Sequence, residues 1–204
     1  MSRPDNYAIH MQQAKARFLG YDQEKLIQKL SAHADEEYIY ATLFHRLYRI
    51  HRKNGDFESR GKNGWQDSNT YGEVMTLLDL ICDCREDRFV SGRWKNMRDF
   101  GNLFYSNKAD PVHDPDADFF SADPQGFADA CRALGGTPLP QGDVGYALEV
   151  FDGLPLGLQL WLGDEEFPSQ LKIMWDANAL QYLRFETMHF AIGVLMRRLR
   201  EEMQ

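Results

Sequence analysis

Three consecutive carboxylates, Asp164, Glu165 and Glu166, lie in the segment Gly163-Asp164-Glu165-Glu166-Phe167-Pro168, and Asp176 follows a short distance downstream. Carboxylates gathered in one place bind hard cations, which take oxygen ligands. They can also hold one protonated acid beside an ionised one for proton transfer. The plainer alternative is a polar hairpin loop, with Phe167 tucked beneath it and Pro168 stiffening the start of the next strand. A second group, Arg93, Trp94 and Arg98, interleaves cations with the aromatics Trp94 and Phe100, a pattern suited to an anionic ligand or an acidic partner surface. Its plainer alternative is a solvated basic face beside core aromatics.

The remaining reactive residues form no recognisable machine. Asp114, Asp116 and Asp118 alternate as in a calcium loop. However, the sixth position lacks glycine and Gln125 stands where the bidentate glutamate belongs. His113 nearby is a weak candidate for a carboxylate metal site. His45 and His51 are an even number of positions apart around a predicted strand, but no third ligand has suitable spacing. Cys82 and Cys84 fall two apart on a predicted helix and so point to opposite sides. Cys131 lies on an apolar stripe with Phe127, Ala130 and Leu134, as a small buried hydrophobe does. No metal-ligand set, nucleophile elbow, phosphate loop or dinucleotide fingerprint is present, and Asp99-Phe100-Gly101 lacks the other kinase elements.

The elements that position these groups follow from periodicity. Leu158, Leu160 and Leu162 alternate with Gln159 and Trp161. Further on, Leu171, Ile173 and Trp175 alternate with Lys172, Met174 and Asp176. These patterns predict two strands of a hairpin with the acidic turn between them. Phe185, Met188, Ile192, Leu195 and Leu199 repeat at three-four spacing and predict a closing amphipathic helix that packs on a sheet. Upstream, Asp22 is the predicted cap of a helix carrying Leu26, Ile27 and Leu30. Residues 37–43 and 46–51 read as strands, Asn54-Gly55 as a turn, residues 60–69 as a loop, and residues 71–84 as a helix. Around Trp94 the chain reads as a turn and a short segment with Trp94, Met97 and Phe104 turned inward. Residues 106–124 read as a loop, because Pro111, Pro115 and Pro124 forbid a continuous helix. A helix from Pro124 to Leu134 ends at Gly135-Gly136.

At 204 residues, with 43% hydrophobic and 26% charged side chains, the chain fits one domain over residues 1–204 with a sizeable core. A net charge of −8 argues against nucleic-acid binding, which needs clustered lysine and arginine. No apolar run approaches a membrane span, and the polar start Met1-Ser2-Arg3-Pro4-Asp5 lacks a signal-peptide core. Three cysteines fit a reducing compartment. The expected location is the cytoplasm. The expected fold is α+β, an antiparallel sheet of about five strands packed by helices that include the C-terminal one.

The run FDGLPLGLQLWLGDEEFPSQLKIMWDANALQYLRFETMHFAIGVLMRRL resembles the bacterial and archaeal family known as domain of unknown function 3786. Its landmarks are Leu154-Pro155, the acidic turn through Phe167-Pro168, Trp175-Asp176, Tyr182-Leu183 and Glu186. Ser91-Gly92-Arg93-Trp94 and Leu134-Gly135-Gly136 match upstream, so the family-like region is clearest from about 71 to 200. No activity is attached to the family. Its members occur mainly in anaerobes, and some carry an added iron–sulfur domain of the kind found in corrinoid proteins. This chain has no four-cysteine segment, and Phe185 stands where a helix-capping Thr or Ser is expected. With no nucleophile, base and orienter to assemble, the expected function is a non-catalytic accessory or partner- or ligand-binding domain, and the resemblance implies a protein partner in anaerobic corrinoid or iron–sulfur metabolism. The competing expectations are a carboxylate enzyme or metal binder using the acidic turn, and a plain structural or interaction domain.

Overall fold

The computed structural model describes residues 6–100 and 115–204, so Phe104, His113 and Asp114 lie outside the described residues. The chain divides into two compact units, Met1–Phe89 with Leu180–Val194, and Val90–Ala179 with Leu195–Gln204.

The first unit opens with α1 (Asn6–Leu19) and α2 (Gln23–Leu30), and Asp22 caps α2 by accepting from the Lys25 amide at 3.3 Å. Four strands follow as an antiparallel sheet in sequence order: β1 (Tyr38–Leu43), β2 (Arg46–His51), β3 (Phe57–Gly61) and β4 (Gly64–Asp67). Ile39, Ile50 and Phe57 are partners across β1, β2 and β3 and are all buried, the direct product of period-two side-chain placement. β4 corrects the loop expected over 60–69. Its glycine and asparagine form the turn of a hairpin, with Gly64 at φ +103°. The next element is α3 (Tyr71–Asp83). Thr70 and Glu73 stand at capping-box spacing at its start, although the Thr70 side chain makes no capping bond. The buried Glu73 carboxylate accepts from the hydroxyls of Thr70 at 2.6 Å, Tyr48 at 2.7 Å and Ser68 at 3.0 Å.

The second unit contains β5 (Trp94–Asn96), α4 (Pro115–Ser121), α5 (Pro124–Ala133), β6 (Thr137–Pro138), β7 (Val144–Phe151), β8 (Leu154–Trp161) and β9 (Gln170–Asp176). They form a five-stranded antiparallel sheet in the order β5-β9-β8-β7-β6. The expected α+β class and five-stranded sheet are therefore present, with a second sheet of four strands beside them in the chain. Of the loop expected over 106–124, residues 106–114 lie outside the described residues, and α4 corrects the part over 115–121. Pro115 and Pro124 each open a helix, at the position where a missing N–H breaks no intrahelical bond. Leu156, Leu158, Leu160, Leu148 and Trp175 are buried on the sheet face that α4 and α5 cover.

The last element is α6 (Phe185–Glu202); of the predicted stripe Met188, Leu195 and Leu199 are buried, whereas Phe185 and Ile192 are half-buried. Its residues up to Val194 belong to the first unit and pack on the helix α3, where packing on a sheet was expected. The Phe190 ring meets Tyr71 edge-on at 5.1 Å, and a Cβ on Gly72 would stand 3.0 Å from Val194 Cγ2. The start of α6 lacks its own Ser or Thr cap because another helix supplies the acceptor. Asp79 Oδ2 on α3 accepts from the Arg184 amide at 2.8 Å. Among the described residues, no helix is long and apolar enough to cross a membrane.

Candidate functional site

β8 and β9 pair as the alternation predicts, with Leu158 opposite Ile173 and Leu156 opposite Trp175. Leu162 departs from the pattern: it lies beyond the end of β8 and is 41% exposed. β9 runs seven residues, so its two ends are about 20 Å apart. The acidic turn lies before one end and Asp176 closes the other. The four candidate carboxylates therefore do not meet.

Asp176 is 1% exposed and fully engaged. Its Oδ1 accepts from the amides of Ser91 at 3.0 Å and Asn178 at 2.8 Å. Its Oδ2 accepts from the Ser91 hydroxyl at 3.0 Å and the Gly92 amide at 2.8 Å. The Ala177 amide donates to the Arg93 carbonyl at 2.7 Å, which completes the seam. A buried carboxylate surrounded by donors is satisfied without a cation. Its chemistry is that of a fastener, holding 91–93 to the end of β9 so that Trp94 can enter the sheet opposite it.

The acidic turn is built from a different use of the same side chain. Asp164 Oδ1 accepts from the amides of Glu166 at 2.8 Å and Phe167 at 2.7 Å, while the Asp164 amide donates to the Phe167 carbonyl at 2.9 Å. Those two amides hold the Asp164 carboxyl below the usual carboxylate range. Gly163 is required by close approach, since a Cβ there would lie 2.8 Å from the Ser169 amide nitrogen. At the far side of the turn the Ser169 hydroxyl donates to Asp118 Oδ1 at 2.8 Å. The expectation that Phe167 tucks under the loop is overturned: it is 64% exposed. Asp164 is exposed too, so the turn meets its bonds with its own amides and Phe167 faces water. Glu165 and Glu166 are exposed as well.

In the second candidate group, Trp94 is half-buried, and Gly157 of β8 makes room for its ring, with a Cβ there 3.3 Å from Trp94 Cζ3. Arg93 and Arg98 are exposed, and Lys95 places its ammonium 5.4 Å from the Phe100 ring centre. The basic-aromatic group thus lies at the Asp176 end of β9, away from the acidic turn.

Other residues have structural partners. Cys82, Cys84 and Cys131 are buried, and burial pushes the thiols of Cys82 and Cys131 up to about 12. His45 occupies a turn at φ +62°, whereas His51 stands edge-on to Tyr38 at 5.3 Å, so the two histidines form no pair. Sequence reading missed Asp79 and Asp83, one turn apart on α3. Burial raises the Asp79 carboxyl. Asp83 is held low by the Tyr21 hydroxyl at 2.7 Å and by Arg17 at 2.9 Å, against the opposing pull of burial. The signal was their i, i+4 spacing, but Arg17, Tyr21 and Arg184 come from other elements and carry no local mark. Among the described residues no three His, Cys, Asp or Glu stand close enough to hold a metal ion.

The landmarks from Leu154-Pro155 to Glu186 thus occupy one hairpin, its two ends and the start of α6. The family model described as domain of unknown function (DUF3786) matches residues 22–198. The chain belongs to the DUF3786 family. The DUF3786 match includes α2, both sheets and most of α6, so it reaches from the hairpin back to residue 22 and leaves out α1. No curated protein and no solved structure matches the chain.

Proposed function

We propose that this DUF3786 protein is a non-catalytic accessory protein that recognises a partner or ligand through its second unit. The observation that carries this reading is the disposition of the hairpin's carboxylates. Asp176 and Asp164 are each consumed by donors of the protein itself, at opposite ends of β9. Catalysis by paired acids needs them to face a common reacting atom. What the turn presents to solvent is an aromatic ring on a backbone closed by the Asp164 hydrogen bonds, which suits recognition. Arg93 and Arg98, exposed beside the half-buried Trp94 at the other end, form a second candidate surface. The family's association with iron–sulfur and corrinoid proteins supports placing that partner in such metabolism.

Native mass spectrometry with elemental analysis, on protein purified without oxygen or chelator, tests this reading. The expected result is no stoichiometric metal, with wild type and Glu165→Gln indistinguishable in composition. A stoichiometric metal held by the wild type and lost in Glu165→Gln, at unchanged melting temperature, would establish the carboxylate metal binder instead.

A further inference from the structure

We infer that the turn-bearing end of the five-stranded sheet docks a partner segment that carries an apolar anchor flanked by lysine or arginine. This rests on the partner-binding reading and adds the partner's chemistry. Two features lie at this end. One is an open groove of about 360 Å³ with a mixed polar and apolar lining, walled by Pro124 and Gln125 of α5, Leu139, and Asp143, Val144 and Tyr146 at the start of β7. The other is the exposed pair Leu162 and Phe167. They are joined by backbone geometry: Asp143 Oδ2 accepts from the Leu162 amide at 2.8 Å, and Val144 pairs with Leu160.

Charge selects the occupant. The segments 123–129, 138–146 and 162–170, which frame the groove and form the turn, contain Asp123, Asp129, Asp143, Asp164, Glu165 and Glu166 but no lysine or arginine. The neighbouring cations are committed. Arg132 is ion-paired with Asp129, so those two charges cancel, and it donates to the Tyr146 hydroxyl, while Lys172 lies over the Trp161 ring at 4.4 Å; Asp123, Asp143, Asp164, Glu165 and Glu166 remain as the acidic frame. An acidic frame around apolar surface repels nucleic acid and anionic lipid and attracts basic residues. The groove is open along one side, which suits a side chain borne on a peptide better than an enclosed small molecule. The fixed turn keeps Phe167 in place before contact, so little ordering is needed on binding.

Short random peptides displayed on phage and selected against immobilised full-length protein test this. The selected sequences are then synthesised and titrated against the wild type, Phe167→Ala and the double variant Glu165→Lys/Glu166→Lys. The expected peptides carry Leu or an aromatic beside Lys or Arg. Each variant should weaken them by about tenfold or more, the usual effect of losing a binding hot spot. Added salt should weaken them further, and both variants should melt with the wild type. Peptides without basic residues, peptides that bind both variants normally, or failure to enrich any peptide would each overturn the inference. Those failures would leave the partner-binding reading to be judged by the mass measurement, which asks only whether the turn holds metal.

Discussion

β9 has an aspartate and an aromatic at each end, and the two pairs behave oppositely. At its close, Trp175 and Asp176 are buried, the first against apolar side chains and the second in a shell of N–H and O–H donors. Ahead of its start, Asp164 caps an exposed turn and Phe167 projects from it. The same residue types therefore serve cohesion at one end and presentation at the other. The difference is made by what surrounds them: at the close, residues 91–93 arrive from far along the chain, whereas the turn is satisfied by its own amides.

The contrast can be broken by substitution. The largest effect is expected for Trp175→Ala, which empties a fully buried site and should cost about 3–5 kcal/mol in urea unfolding. A loss below about 1 kcal/mol would mean that this end is not core. Asp176→Ala should follow at about 3 kcal/mol, because it leaves buried donors without an acceptor. Asp176→Asn, which keeps one acceptor oxygen, should lose less, and equal losses would argue against the bonding described.

Acid sharpens the comparison from the other side. Because the folded-state carboxyl of Asp164 titrates below its unfolded value, its support of the turn is present above the ordinary carboxylate pKa of about 4 and vanishes as pH falls through the lower folded value. Exchange protection of the Glu166 and Phe167 amides should therefore persist at pH about 4 and disappear only below it. Loss at higher pH would contradict the capping role. The smallest effect belongs to Phe167→Ala, which should change stability by no more than about 0.5 kcal/mol, as for an exposed site.

Much of the fold was legible because its signals are local. The Leu158–Leu160 alternation and the Phe185–Leu199 stripe specify β8 and α6 through side-chain period alone. β4 and α4 were hidden where turn-forming residues mark a boundary but also resemble a loop: Asn63-Gly64 inside a hairpin, and Pro115 at the first position of a helix. The site was less legible. Residue type suggested that Phe167 would be buried, but the turn from 162 to 168 stands wholly in solvent, which no local pattern marks. The four residues of the carboxylate proposal lie close in sequence, yet an intervening strand holds Asp176 far from the turn. The donors to Asp176 include Ser91 and Gly92, which no local pattern links to it.

The central claim is that the acidic turn holds its aromatic out for recognition rather than in for stability. Thermal unfolding of Phe167→Ala beside the wild type tests it most directly. The account predicts coincident melting curves. A loss of about 3 kcal/mol, the cost of emptying a buried aromatic site, would show that Phe167 belongs to the core and would contradict it.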